Sequence, residues 1–245
     1  MMKGYLYKEI KQNRLLIALT AILALCVVLL PMIIIIAEEK SMAREVFFAF
    51  AKIGIVFRVL CATLGFISVG AIQSFTLKGD DRKMWGYFVA SNPKGIKGFI
   101  ITKYGLISAI SVIYLALCTG CDAVLVLIAQ LIGGVPAPFM AETHLYLFFS
   151  QLFISAFDIP FTIRFGEKKG SSIKMIILTV IFSILIIILF TDPESIAIVF
   201  RNFFLNGELP TILRWGTPII SIAAFVLSGL ISSKLYLKGV EQYYK

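Results

Sequence analysis

From Leu15 to Ala37 the chain runs without a single charged residue, with Pro31 in its outer half. Such a run matches the roughly 20 apolar residues that a helix needs to cross a hydrocarbon core of about 30 Å. In lipid, backbone N–H and C=O groups must be paired within the protein, so the run is read as a membrane-spanning helix. Lys3, Lys8, Lys11 and Arg14 precede it as they would in a secretory signal, but the run outlasts the apolar core of a cleavable signal and is read as a retained first helix. Comparable runs follow at Val59 to Leu77, Phe99 to Cys121, Leu145 to Ile163, Ile173 to Phe190 and Thr217 to Leu235. With 59% hydrophobic and 15% charged residues, the chain lacks the polar surface to coat a soluble globule. The expectation is one all-α integral membrane domain over residues 1–245, with six transmembrane helices.

Charge placement orients these spans. The interval Lys78 to Lys103 is the longest polar stretch and carries Lys78, Arg82, Lys83, Lys94, Lys97 and Lys103 between two apolar runs. Basic loops stay on the cytoplasmic side, which places this loop and most of the 23 Lys and Arg residues inside, both termini included. The net charge of +9 flanks spans instead of forming one soluble basic face, so it points to an anionic lipid surface and away from nucleic acid. Residues 1–14 place Leu6 and Ile10 one turn apart beside Tyr5 and Tyr7, as in an amphipathic helix lying on the inner surface. Ala43 to Arg58 reads as a partly exposed lead-in, with Lys52 and Arg58 snorkelling to the outer face.

Two segments leave the count open. Ala123 to Val135 either extends span 3, dips back as a re-entrant segment or crosses alone. The last choice gives seven spans and moves the basic segment Arg164 to Gly170 outside, so the six-span count is preferred, with that segment as an inner loop between spans 4 and 5. Between Thr191 and Gly216, Ile196, Val199, Phe200, Phe203 and Phe204 share helical spacing but are too few to cross, which suggests a re-entrant hairpin broken at Gly207 and Pro210.

Catalytic patterns are scarce. No HExxH, GxSxG or GxxxxGK[ST] sequence is present, and Gly166 to Gly170 has the wrong spacing for a phosphate loop. The single histidine, His144, is read as a boundary residue at the outer end of span 4. Cys118 and Cys121 form a CxxC without a second Cys or His pair to complete a metal site, and Cys26 and Cys61 read as packing residues. Asp158 is the intramembrane acid singled out; it either serves coupling or conduction, or pairs with Arg164 or snorkels to the interface. Small residues repeat at helical spacing at Cys61, Gly65 and Ser68, and again at Ser221, Ala224, Ser228 and Ser232, as expected of close helix seams.

The polar loop Asp80 to Gly105 (DDRKMWGYFVASNPKGIKGFIITKYG), the span 4 exit Asp158 to Gly170 (DIPFTIRFGEKKG), the amphipathic start and the re-entrant stretch together resemble the small bacterial permeases of the ABC-2 class of ABC exporters. Within that class the chain is most similar to exporters of amphipathic or antimicrobial peptides of the phenol-soluble modulin type. The resemblance implies a dimeric permease, homo- or heteromeric, in the bacterial cytoplasmic membrane. A separate nucleotide-binding subunit would hold ATP and Mg, with no cofactor in this chain. It further implies that Asp80, Asp81, Arg82, Lys83, Trp85, Tyr87 and Phe88 form a coupling helix that docks on that subunit, and that Phe200, Phe203 and Phe204 belong to an outer gate. The rival readings are a secondary transporter, an integral membrane enzyme, and a non-transporting accessory or immunity protein. A transporter of that kind calls for internal repeats and midplane charges.

Overall fold

The computed structural model describes residues 2–38, 44–78, 95–132, 139–191, 198 and 211–242. These residues contain helices and no strands. In chain order the helices are α1 (Met2–Gln12), α2 (Arg14–Glu38), α3 (Arg44–Lys78), α4 (Gly95–Ile132), α5 (Ala141–Thr191) and α6 (Thr211–Gln242). The all-helical expectation holds. Four helices contain windows long and apolar enough to cross a membrane: Ile55–Ile72, Gly95–Leu131, Ala141–Phe165 and Arg214–Tyr236.

Local chemistry explains the boundaries. Asn13 separates α1 from α2, and its carbonyl accepts the first helical hydrogen bond of α2 from Ile17 N at 3.0 Å. On α1, Leu6, Tyr7 and Ile10 are exposed, in keeping with an apolar face laid on an interface. Gly95 opens α4 at φ 52°, a left-handed conformation that glycine adopts without a Cβ penalty.

Two segments read as ambiguous or as loops are helical. α4 continues through Asp122 to Ile132, so residues 123–132 extend span 3. At 1.5 Å per residue its 38 residues reach about 57 Å, well beyond a hydrocarbon core of about 30 Å. The turn expected at Arg164 to Gly170 is absent, because α5 runs unbroken over 51 residues through that segment. Glu167, Lys168 and Lys169 are good helix formers, and the two flanking glycines cost only about 1 kcal/mol each in a helix interior.

α5 lies most extensively against α6, and α2 against α3; α3 also packs on α5, and α2 on α4. One core cluster contains Ala24, Cys61, Phe66, Val69, Tyr114, Cys118, Phe148 and Leu152. The small-residue stripe on α3 is what permits it. Gly65 meets the Tyr114 ring so closely that any Cβ there would collide with the phenol oxygen and ring. The ring stands edge-on to Phe66 at 4.8 Å, and its hydroxyl donates toward the carbonyls of Cys61 and Ala62 at 3.3 and 3.4 Å. A second cluster, Phe99, Ile100, Tyr104, Ile107 and Ile159, joins α4 to α5 with Phe225 and Tyr236 of α6 against it.

Candidate functional site

Because α3 ends at Lys78 and α4 begins at Gly95, residues 79–94 join the two helices at one end of the bundle. The helical rise places Arg58 about 30 Å and Asp122 about 40 Å from that end. Well away from that end Arg58 of α3 forms an ion pair with Asp122 of α4, with side chains only 2% and 0% exposed. The other carboxylate oxygen of Asp122 accepts a hydrogen bond from Met140 N at 2.8 Å. Met140 immediately precedes α5, and its carbonyl accepts the first helical bond from His144 N at 3.1 Å. One carboxylate therefore ties α3, α4 and the start of α5.

Removing a charge from water is costly, and burying both partners with hydrogen bonds is the arrangement that limits that cost. Arg58 thus does not snorkel outward as the sequence suggested, because Asp122 offers it a partner inside. His144, in the first turn of α5 where span 4 begins, is buried. Around this pair Thr143 Oγ1 and His144 Nδ1 are buried with no hydrogen-bond partner among the described residues. Also in the first turn of α5, Glu142 meets Arg214 of α6 at 2.6 Å, with both side chains exposed, at 38% and 55%.

Nearer the middle, α5 is held by neutral groups. With its amide turned to satisfy its neighbours, Gln151 donates to Phe66 O at 3.1 Å and accepts from Gly70 N at 3.2 Å and Ser155 Oγ at 3.1 Å, linking α5 to the backbone of α3. Pro160 has no N–H to give the carbonyl four residues earlier, that of Ala156. Ser228 of α6 takes up the vacancy, donating to Ala156 O at 2.5 Å. Tyr104 of α4 then joins Ser228 at 2.6 Å and Ser232 at 2.8 Å. The serine stripe of α6 is therefore a seam, as its spacing indicated, and it faces a freed carbonyl.

Asp158 is buried on the same helix, and Thr162 Oγ1 donates to its carbonyl at 2.8 Å. Lys103 is buried with its ammonium over the Phe99 ring at 5.0 Å. Cys118 is buried, Cys121 partly so, and all four cysteines are free thiols. Among the described residues no group of His, Cys, Asp or Glu is arranged to hold a metal ion. The proposed docking residues Asp80, Asp81, Arg82, Lys83, Trp85, Tyr87 and Phe88, and the aromatic trio Phe200, Phe203 and Phe204, lie outside the described residues. With span 3 ending at Cys121 and the next apolar run starting at Ala123, the sequence reading assigns Asp122 no role. Its signal was available: an acid inside the apolar run Leu115 to Ile132 needs a cation, and Arg58 sits inside another run.

Long apolar helices, lipid-facing outside and joined inside by buried polar ties, define a multi-pass helical membrane protein. The family model for ABC-2 family transporter proteins matches residues 6–237, nearly the whole chain, and the protein belongs to that family. Its members are permease subunits without an ATPase site of their own, working with an ATP-binding subunit. No curated protein and no solved structure matches the chain.

Proposed function

We propose that this permease subunit dimerises, associates with two copies of a separate ATP-binding subunit and couples their ATP hydrolysis to export of an amphipathic or hydrophobic substrate, with peptides as the leading candidates. The family match over residues 6–237 carries the reading, and the missing phosphate loop in the sequence supports the need for a separate ATPase. Residues 80–94 are the docking element: Trp85, Tyr87 and Phe88 offer anchoring aromatic area, while Asp80, Asp81, Arg82 and Lys83 set orientation. Both termini and this loop face the cytoplasm, and Phe200, Phe203 and Phe204 lie toward the exit.

Co-expression with the ATP-binding subunit tests this. The two should co-purify, and the permease alone should hydrolyse no nucleotide. Trp85→Ala should weaken association by on the order of 2 kcal/mol, about thirtyfold, with the permease level in the membrane unchanged. Normal association and transport by Trp85→Ala would reduce the loop to an interfacial anchor.

A further inference from the structure

We propose that the exposed face of α5 between Phe153 and Arg164 binds an anionic phospholipid, with an acyl chain laid along a row of phenylalanines and the headgroup phosphate held by Arg164 and Lys234. From Leu145 onward α5 carries a large apolar residue at every fourth position: Leu145, Phe149, Phe153, Phe157, Phe161 and Phe165. Residues four apart stand one above the other and form a ridge along the helix. The ridge does not serve the core, since Phe153, Phe157 and Phe165 are 36%, 50% and 40% exposed. Its rings brace one another: Phe153 and Phe157 meet edge to face at 4.9 Å, and Phe161 stacks with Phe165 at 6.3 Å. An acyl chain settling on rings already fixed in place gains contact area without ordering new side chains.

Two exposed cations point to an anionic phospholipid as the occupant. α6 runs alongside α5 in the same direction, because Glu142 meets Arg214 and Ala156 meets Ser228 at the same sequence offset of 72. That register sets Lys234 of α6 level with Thr162 of α5, about 3 Å along the axis from Arg164. Arg164 and Lys234 are both exposed. The Arg164 guanidinium lies over the Phe165 ring at 5.6 Å, so charge and ridge meet at one point. Depth agrees as well. At 1.5 Å per residue, Phe153 lies about 17 Å along the axis from Arg164, close to the roughly 15 Å that one leaflet contributes to the hydrocarbon core. A phosphate at Arg164 therefore leaves its acyl chain to run past Phe161 and Phe157 to Phe153. Because Asp122 joins Met140 N to Arg58, while Gln151 bonds to Phe66 and Gly70, α5 also runs in the direction of α3, and Arg164 lies toward the end that residues 79–94 join. The site depends on the helices lying in a bilayer and not on what the permease exports.

Titration of the full chain in detergent with phosphatidylglycerol and with phosphatidylcholine of identical acyl chains tests the site. The parent should bind phosphatidylglycerol about thirtyfold more tightly, as two cations beside an anionic lipid imply, and high salt should shrink that ratio. Arg164→Gln with Lys234→Gln should bring the two lipids to equal affinity. Phe153→Ala with Phe157→Ala should weaken both lipids by about tenfold and leave their ratio unchanged, since the rings touch the chain and not the headgroup. These four side chains are exposed, so the thermal midpoint without added lipid should match that of the parent. Equal binding of both lipids by the parent would overturn the site, as would a preference that survives the charge variant or affinities that ignore the aromatic one. Displacement of phosphatidylglycerol by millimolar inorganic phosphate would also overturn it, by making the cations a site for soluble anions. So would ready disulfide pairing of two copies through Phe157→Cys in a chain without its own cysteines, which would give the row to a second copy. None of these results touches co-purification with the ATP-binding subunit, so the two proposals fall separately.

Discussion

Around Asp122, α3, α4, α5 and α6 are tied by charge, whereas ten to fifteen residues into α5 the polar ties of the same helix to α3 and α6 come from an amide and a hydroxyl. The difference lies in what remains when a partner is removed. A stranded guanidinium in an apolar interior keeps its charge and its desolvation cost. A stranded hydroxyl or carbonyl loses one hydrogen bond and often finds another within its own helix. The charged end should therefore be all-or-none, and the neutral seam graded.

The largest expected effect breaks the charged side. Asp122→Ala leaves Arg58 buried without its carboxylate and should destabilise the chain by about 3–5 kcal/mol, read as a fall in the thermal midpoint of the detergent-solubilised protein. The double change Arg58→Met with Asp122→Leu should recover most of that loss, because packed apolar side chains need no partner. Equal destabilisation by single and double variants would mean that packing at this end, and not charge, is decisive.

A smaller effect sharpens the neutral side. Ser228→Ala leaves the Ala156 carbonyl without a donor and should cost about 1 kcal/mol. Pro160→Ala restores the missing N–H in α5, so in the Ser228→Ala background it should be less harmful, or more beneficial, than in the parent. A double-mutant cycle in thermal stability measures that coupling. Strict additivity would sever the proline from the serine.

The smallest effect belongs to the exposed pair. Glu142→Ala should change stability by only about 0.2–1 kcal/mol and less at high salt, since solvent screens it. A loss as large as that of Asp122→Ala would erase the distinction between buried and exposed ties.

The apolar runs alone establish that this chain is a set of membrane helices, because in lipid a backbone must bond within its own segment and helix is the answer available locally. Composition and spacing also mark the seams. Gly65 in its small-residue stripe and Ser228 in the serine stripe announce close approach, and Pro160 guarantees a freed Ala156 carbonyl. Which helix fills each seam is a different matter, since helical periodicity gives a face and not a neighbour. Tyr114 enters the space left at Gly65, and Ser228 reaches the carbonyl that Pro160 exposes, only because α4 and α6 pack where they do. The same holds for charge. Arg58 in an apolar run has two low-energy ends, water at the interface or an acid inside, and sequence offers no measure of which lies within reach. Tertiary packing decides it by bringing Asp122 from 64 positions away, and with that one contact a snorkelling cation becomes a buried tie among three helices.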